Sequence, residues 1–344
     1  MHTLDTSETE MPDVEERALD QSLSPYITAI EDELRRHMDP TNKLLSLAYD
    51  FVGSGGKRLR PAVTLLVCDS ISRSYRDALP IAAAYELAHA ASLTQDDIID
   101  ASRTRHNRPT AHTLHGITTA ILLSDVMLFE IFQRLANYSE STCTKEQLGA
   151  LTGYIAKSAK EAAEGEFLEM QLSRKVDQTL EDYVKLAGLK TGALFGAAAS
   201  SGAIVGGAKP RMIKDMYEFG RNLGIEFQVV DDILDITGRT EEMGKPMLQD
   251  IQTGASNVVV IHALARADPK TGTALRAAIA RSAYGLADVD ELLGIFDDLG
   301  SVEYASGLAK KHAALARGRL RYLPEGRPKE TLAKITSWLE TRRR

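Results

Sequence analysis

Two aspartate-rich motifs of identical spacing carry the clearest chemistry in this sequence. They are DDIID, with Asp96, Asp97 and Asp100, and DDILD, with Asp231, Asp232 and Asp235. At roughly 100° per residue, the three carboxylates of each motif fall on one side of a helix. They repel each other there, and a bound Mg²⁺ removes that cost while bridging carboxylates to a substrate phosphate. A single motif is more often a solvated acidic turn, but two copies favour two helices that face one metal-binding cavity.

Basic residues suited to a diphosphate lie in two other stretches. The block GSGGKRLRP at residues 53–61 combines glycines, which allow a sharp turn, with three cations and a proline that can start a helix. An ordinary loop is the alternative, but three cations beside glycines would grip a multiply charged anion well. A second basic group follows the first motif: Arg103, Arg105, His106 and Arg108.

Helices must position these groups. Ala and Leu dominate the 344 residues, aromatic residues make up 6%, and only 11 prolines interrupt the chain, which favours an all-α protein. We predict a flexible acidic tail over residues 1–24 and a single domain over residues 25–344. The apolar periodicity predicts helices at residues 26–38, 81–100, 117–136, 145–173 and 224–236, a small-residue helix opened by Lys190 and Thr191, and about four more at the end.

Composition also excludes several classes of function. The net charge of −7 argues against a nucleic-acid partner. Cys68 and Cys143 lack the spacing of a metal site, so we expect both to be reduced. The first 20 residues are acidic and polar, and the weakly polar run at 191–208 is too small-sided for a membrane span. We therefore expect a cytoplasmic protein without an integral membrane segment.

Four blocks together resemble the trans-isoprenyl diphosphate synthases, also called polyprenyl synthetases. They are GGKRLRP (55–61), ELAHAASL before DDIID (86–100), KT (190–191) and FQVVDDILD (227–235). One DDxxD motif is weakly specific, whereas all four blocks in this order are highly specific. The resemblance runs from about Tyr26 to the final arginines. It implies an all-α fold of long helices around a deep central cavity, a homodimer, and Mg²⁺ as cofactor.

The resemblance also implies a role for each matching residue. The six aspartates would hold Mg²⁺ on an allylic diphosphate, and Lys190 would act beside them. Further ligands of that diphosphate would be Arg105, Lys190, Thr191, Gln228 and Lys245. The second substrate, isopentenyl diphosphate, would bind at Lys57, Arg60 and His89, with His106 where the family has an arginine.

This chain departs from the family pattern at several positions. Arg105 is followed by His106 and Asn107, where the family usually has arginine and glycine. Gln95 stands where a histidine often precedes the first aspartate. Leu248 replaces a common glycine, and Ala255 replaces a common lysine. These changes weaken the cationic lining and are expected to alter substrate affinity or choice.

Three functions fit these residues to different degrees. Chain elongation joins an allylic diphosphate to isopentenyl diphosphate, and it needs both the aspartates and the second diphosphate site. A class I terpene cyclase would not need Lys57, Arg60 and His89 together. A non-catalytic partner subunit would be expected to lose metal ligands, yet all six aspartates remain. Elongation is therefore the leading hypothesis.

The helix before the first motif is expected to set product length, because the growing tail must run along it. Ser92, Ala91 and Ala88 are small, and Tyr85 is the first aromatic, 11 residues before Asp96. Eleven residues span ~16 Å of helix, and an extended isoprene unit spans roughly 5 Å. We therefore predict a C20 product, geranylgeranyl diphosphate, or C25 and longer if Tyr85 leans away. The side chains of Met127 or Phe129 could raise or lower this limit on the length of the tail, which we call the floor of the cavity.

Overall fold

The protein is helical almost throughout, as its composition predicts. The structure is a computed structural model that describes residues 14–53, 56–105, 108–139, 143–173, 178–238, 248–282 and 289–342. Within these ranges the β-structure is one antiparallel hairpin of two-residue strands, β1 (Thr104–Arg105) and β2 (Arg108–Pro109). The all-α prediction is confirmed.

The first half of the chain forms seven helices in the described ranges. The fourth of them ends on the first aspartate motif, as predicted, and the hairpin of β1 and β2 follows it at once. The helices are α1 (Val14–Arg36), α2 (Lys43–Val52), α3 (Leu59–Ser72), α4 (Leu79–Ile99), α5 (Ala111–His115), α6 (Ile117–Ser139) and α7 (Lys145–Leu172).

The second half contributes nine helices in its described ranges. One five-residue π-helical turn, Gly188–Gly192, carries Lys190 and Thr191 directly before the small-residue helix. The helices are α8 (Leu180–Ala187), α9 (Ala193–Val205), α10 (Pro210–Thr237), α11 (Gln249–Thr253), α12 (Val258–Arg266), α13 (Pro269–Ser282), α14 (Val289–Asp298), α15 (Ser301–Leu320) and α16 (Arg327–Thr341).

Helix α10 is the central support of the fold. It packs along α9 on one side and α15 on another, and its side chains enter both groups of buried apolar residues. Met216, Phe219 and Leu223 belong to one group, whereas Val229 and Leu234 belong to the other. The second aspartate motif thus lies in the last turns of a helix that is held on several sides, which fixes its direction.

Two glycines let neighbouring helices approach the π-helical turn. A Cβ on Gly165 of α7 would lie 2.7 Å from the Lys190 backbone nitrogen, and a Cβ on Gly224 of α10 would lie 2.7 Å from the Gly192 Cα. Any larger residue would push α7 or α10 away from this turn. The close approach brings the side chains of three segments to one point, where Lys190 lies.

The predicted N-terminal tail is wrong for residues 14–24. Helix α1 begins at Val14 and includes Pro25, while residues 1–13 lie outside the described part of the chain. Leu19 and Leu23 are both 3% exposed. Their burial against the remaining helices offsets the cost of a proline inside a helix.

No described helix is both long and apolar enough to cross a lipid bilayer. Most of the weakly polar run at residues 191–208 forms α9, whose residues from Ala193 to Ile204 are all buried against the rest of the protein.

Candidate active site

A deep cavity of about 2680 Å³ connects most of the residues that the sequence singled out. Its wall includes both ends of the predicted metal site, since Asp96 and Asp231 both line it. Helices α4 and α10 therefore present their motifs to one space, as the paired motifs predict. The other lining residues from the sequence-based set are Lys57, Arg60, Ala88, His89, Ser92, Asp97, Asp100, Arg105, Lys190, Thr191 and Gln228.

Lys190 lies among three carboxylates that also line this cavity. Its Nζ is 2.6 Å from the Glu166 carboxylate and also pairs with Glu169, one helical turn further along α7. Burial alone would lower the pKa of Lys190, but Glu169, Asp96 and Glu166 together raise it. The ammonium is therefore held charged in the space between α7 and the first aspartate motif.

The first motif is poised to bind a cation. Desolvation raises the pKa of Asp96 to about 7, and Glu166 and Asp100 act in the same direction against the Lys190 charge. Desolvation also raises the pKa of Asp100. Asp97 differs, because its carboxylate accepts a hydrogen bond of 2.8 Å from the Arg105 Nε. Asp97 therefore anchors Arg105, whereas the raised pKa values of Asp96 and Asp100 reflect carboxylates that are desolvated at the cavity wall.

The three aspartates of the second motif have different environments. Asp231 lines the cavity and forms an ion pair of 2.6 Å with Arg342. Asp235 is 2% exposed and accepts hydrogen bonds of 3.2 and 3.1 Å from the backbone amides of Gln249 and Asp250. It therefore caps the start of α11, which argues against direct metal contact.

Asp232 is buried in a chain of hydrogen bonds. The Thr191 hydroxyl donates to the Gln228 carbonyl at 2.9 Å, and the Gln228 amide donates to Asp232 at 3.0 Å. The other Asp232 oxygen accepts from the Val258 backbone amide at 2.9 Å. Asp232 is 1% exposed, and burial raises its pKa well above the ordinary value. Its role in this geometry is to connect the π-helical turn, α10 and α12.

A buried ion pair anchors the glycine-rich basic block at Arg58. Arg58 has a left-handed backbone with φ of 50°, and its guanidinium donates to Glu86 at 2.5 Å and to the Val52 carbonyl at 2.7 Å. Arg58 thereby ties the loop to both α2 and α4. Its neighbours Lys57 and Arg60 also line the cavity, together with His89.

Arg60 lies in the cavity wall beside Phe195. Its guanidinium lies 4.5 Å from the centre of the Phe195 ring. Desolvation lowers the pKa of Arg60 to about 10, although Glu86, Asp231 and Asp96 oppose the shift. A bound anion with two or three negative charges would stabilise the charged form of Arg60 against this desolvation.

The donor set suits a hard divalent cation. Carboxylate oxygens crowd around Asp96 and Asp100, and cations such as Mg²⁺ prefer oxygen ligands. Among the described residues, no group of three or more His, Cys, Asp or Glu side chains is already arranged to hold a metal ion. Mg²⁺ commonly takes one or two carboxylates and completes its shell with water and substrate phosphates. The residues therefore fit a metal that binds together with a diphosphate.

Three residues predicted from the family pattern lie outside the described ranges. These are His106, Asn107 and Lys245, so their roles stay predictions. Leu248 is described and has a left-handed backbone with φ of 60°, a conformation that glycine adopts without strain. This explains why glycine is common at that position. Ala255 lines the cavity, where it contributes no charge.

The predicted floor of the cavity needs correction. In the part of the chain that the structure describes, Ser92 and Ala88 line the cavity but Ala91 and Tyr85 do not. Tyr85 is 1% exposed, and its hydroxyl hydrogen-bonds to Ser201 of α9 at 2.8 Å. Burial raises the pKa of Tyr85, so it stays neutral. Tyr85 therefore packs into the core and does not form part of the cavity wall.

The side chains of α6 also differ from expectation. Met127 is fully buried and Phe129 is 64% exposed, and neither lines the cavity in the described ranges. Ile121 and Leu128 line it instead, as do Ala88 and Ser92 of α4. Leu47 and Phe51 of α2 also line the same cavity.

Sequence reasoning missed four residues at the site. Glu166 and Glu169 are three residues apart on α7, which places them on one helical face, and this spacing could have drawn attention to them. Glu86 and Arg342 have no comparable local signal. Their roles depend on contacts between helices far apart in sequence, which no local pattern encodes.

Comparison with known proteins points to one family. The model of the polyprenyl synthetase family matches residues 41–296 of the chain. The chain is also 35% identical over 296 residues to the short chain isoprenyl diphosphate synthase of Methanothermobacter thermautotrophicus, covering 86% of this chain and 89% of that protein.

Solved structures agree with this sequence relationship. Geranylgeranyl pyrophosphate synthetase from Pyrococcus horikoshii Ot3 superposes with a TM-score of 0.86 at 29% identity, covering 96% of this chain and all of that one. Polyprenyl synthase from Caulobacter crescentus CB15, complexed with calcium and isoprenyl diphosphate, superposes with a TM-score of 0.85 at 26% identity. That match covers 95% of this chain and 98% of the other.

Proposed function

The chain belongs to the polyprenyl synthetase family, whose members are trans-prenyl diphosphate synthases, and we propose that it elongates an allylic diphosphate with isopentenyl diphosphate in a Mg²⁺-dependent reaction. The observation that carries this proposal is one cavity with an acidic end at Asp96, Asp100 and Asp231 and a basic wall at Lys57 and Arg60. An enzyme that ionised a single diphosphate would need only the first of these. The two ends support two diphosphate substrates.

At the acidic end, the allylic substrate would lose its diphosphate. Mg²⁺ held by Asp96, Asp100 and Asp231 would neutralise the negative charge that develops on the leaving group. Lys190 would turn from Glu166 and Glu169 toward the diphosphate oxygens, and Arg105 would approach from the anchor that Asp97 provides. Lys245 would add to this set, as the family pattern implies.

The hydrogen bond between Thr191 and Gln228 orients both side chains on the side of this site nearest α10. Gln228 is in turn held by Asp232, so its amide has a defined orientation. These neutral groups would position a diphosphate without adding charge. We propose that Asp232 and Asp235 act as positioning residues for the second motif.

The second substrate would be held close to the allylic cation. Lys57, Arg60 and His89 would bind the diphosphate of isopentenyl diphosphate, and the aliphatic wall would keep water from the cation. The new C–C bond forms between the allylic carbon and the terminal alkene carbon. The proton that the product then loses can pass to an oxygen of the departed diphosphate, so we assign no side-chain base.

We propose geranylgeranyl diphosphate, with 20 carbons, as the main product. Small residues on the cavity side of α4 support this, because Ser92 and Ala88 leave room for the tail over two turns. The named activity of the Pyrococcus horikoshii protein supports it as well. A product of 25 carbons or more is the alternative, since the wall continues past α4 to Leu47 and Phe51.

Mass analysis of products tests this proposal. The chain is incubated with isopentenyl diphosphate, Mg²⁺ and dimethylallyl, geranyl or farnesyl diphosphate in turn. We expect all primers to converge on a C20 diphosphate, because the cavity and not the primer limits growth. Release of diphosphate without a condensed product would instead favour a cyclase. No consumption of any primer would favour a non-catalytic subunit.

We also propose that the protein is a cytoplasmic homodimer. Helix α6 exposes an apolar face that a second copy could cover, comprising Ile117, Leu122, Phe129 and Phe132. Clustered apolar side chains on a protein surface often mark an interaction site. The two cysteines are free, Cys68 buried and Cys143 partly so, which is compatible with a reducing compartment.

A charge on this apolar face should separate the subunits. We expect the wild-type chain to sediment at twice its own mass and Phe129→Glu to sediment as a monomer, since a buried unpaired carboxylate is costly at an interface. Leu315→Glu is the matched control, because Leu315 is also exposed but lies on α15. A dimeric Phe129→Glu protein would place the interface elsewhere.

A further inference from the structure

The N-terminal helix α1 reaches the basic wall of the cavity. Glu16 lies in the first turn of α1, and its carboxylate accepts a hydrogen bond of 3.1 Å from the Nζ of Lys57. The Glu16 side chain is only 18% exposed, so water shields this ion pair weakly. Lys57 also lines the cavity. Helix α1 therefore places an anion on a cation that we assign to substrate binding.

The packing of α1 holds Glu16 near Lys57. Helix α1 packs against α3, α4 and α16. Leu19, one turn after Glu16, is buried, and so is Leu23. The Tyr26 hydroxyl donates a hydrogen bond of 2.6 Å to Asp69 of α3. Glu16 is thus carried to the cavity wall by a helix that is anchored in the core.

The ammonium of Lys57 has a second partner, the indole ring of Trp338. Its Nζ lies 4.0 Å from the centre of that ring, which is within the range of cation–π attraction. Desolvation lowers the pKa of Lys57, whereas Glu16 and, more weakly, Asp20 raise it. In the empty cavity, Glu16 therefore supplies the negative charge that a substrate diphosphate would otherwise supply.

We propose that Glu16 is an intramolecular competitor of isopentenyl diphosphate at Lys57, and that α1 thereby sets the affinity of the basic wall for this substrate. This inference rests on the proposed function and deepens it. A substrate oxygen bound to the Lys57 ammonium would lie within about 6 Å of the Glu16 carboxylate. Two negative charges at that distance repel each other in a partly dehydrated site. The carboxylate must therefore withdraw, or the substrate binds more weakly.

The opposite role for Glu16 would be to hold Lys57 in position for the substrate. The geometry favours competition, because the Trp338 ring already contacts the ammonium of Lys57. Glu16 also carries the same sign of charge as the substrate. The two roles predict opposite effects on affinity when the Glu16 charge is removed, so a single substitution separates them.

Steady-state kinetics of a charge series at position 16 test the proposal. Glu16→Gln should lower KM for isopentenyl diphosphate about threefold, the modest effect expected for a partly exposed ion pair. Glu16→Lys should lower it about tenfold, because attraction replaces repulsion. KM for the allylic primer should change by less than about twofold. Glu303→Gln, which removes an exposed carboxylate from the first turn of α15, is the control and should match wild type.

Fluorescence of Trp338, the only tryptophan in the chain, measures the same competition without turnover. Indole emission responds to charges next to the ring, and Lys57 lies against it. The full chain is titrated with inorganic diphosphate in the absence of divalent cations. The midpoint should fall about threefold in Glu16→Gln. In a Lys57→Met background, Glu16→Gln should leave the midpoint unchanged, because Glu16 has then lost the partner through which it acts.

Two results would overturn the proposal. One is an unchanged or higher KM for isopentenyl diphosphate in Glu16→Gln, and a higher value would show that Glu16 positions Lys57 for the substrate. The other is a lower midpoint that persists in the Lys57→Met background, since the effect would then not act through Lys57. Failure of the synthase proposal looks different, because no variant would form a condensed product while Glu16→Gln would still tighten the binding of inorganic diphosphate.

Discussion

Asp96→Ala and Asp231→Ala should each lower turnover by about 10²–10³-fold, the typical effect of losing one group that stabilises developing charge. Both carboxylates line the cavity, one from α4 and one from α10. If they hold Mg²⁺ on one diphosphate, neither can replace the other. Turnover is measured with farnesyl and isopentenyl diphosphates at saturating Mg²⁺. Asp298→Ala, on the surface of α14, should leave turnover unchanged.

Both variants should still fold, and replacing Asp96 should increase the thermal stability of the metal-free protein. The folded pKa of Asp96 is about 7, above its ordinary value of 3.8, so ionisation costs more in the folded state. Wild type therefore loses stability as pH rises from about 4 to about 7. Asp96→Asn should melt at a higher temperature than wild type at pH 8 and at a similar temperature near pH 4. Near-normal turnover in Asp96→Ala or Asp231→Ala would refute the metal assignment.

Ser92→Phe should shift the main product from C20 to C15. Ser92 lies on the cavity side of α4, one helical turn before Asp96, or ~6 Å along the axis. A phenyl ring there would narrow the path that the tail follows along α4, so growth should stop before the fourth isoprene unit is added. The length of products made from geranyl diphosphate, determined by mass spectrometry, measures the change. The rate of the first condensation should fall much less than the C20 yield.

Tyr85→Ala is the informative companion to this variant. If Tyr85 were the floor of the cavity, its removal would lengthen the product. Because its hydroxyl bonds to Ser201 inside the core, we expect lower thermal stability and an unchanged product. Longer products from Tyr85→Ala would restore the sequence-based floor. C20 as the dominant product of Ser92→Phe would show that the tail takes another path.

The sequence alone indicated that the two aspartate motifs could bind a metal. It could not indicate which of the six aspartates line the cavity. Spacing placed each trio on one helical side, and Asp96 and Asp231 do meet at one cavity. Spacing could not reveal that Asp235 caps α11 or that Asp232 accepts from the Val258 amide. Those contacts join segments far apart in sequence. Each of them occupies a carboxylate that could otherwise have faced a metal ion.

The position of Tyr85 shows a different limit of prediction from helical periodicity. Eleven residues at 100° each place it near the Asp96 face, so the angular argument was sound. However, residues 81–87 of α4 are buried on every side, and periodicity cannot identify which buried side faces a cavity. Residues 14–24 misled for another reason, because Pro25 and many charges concealed the buried leucines Leu19 and Leu23.

The clustering of Glu166 and Glu169 around Lys190, next to Asp96 and Asp100, has a kinetic consequence. Without a divalent ion, carboxylates outnumber ammonium groups at this end, so an approaching free diphosphate meets a repulsive field. The wall at Lys57 and Arg60 attracts the same anion. Under the proposed function, we therefore expect the electrostatic field to sort the two substrates during encounter: the metal-complexed diphosphate would be attracted to the acidic end and the uncomplexed diphosphate to the basic wall.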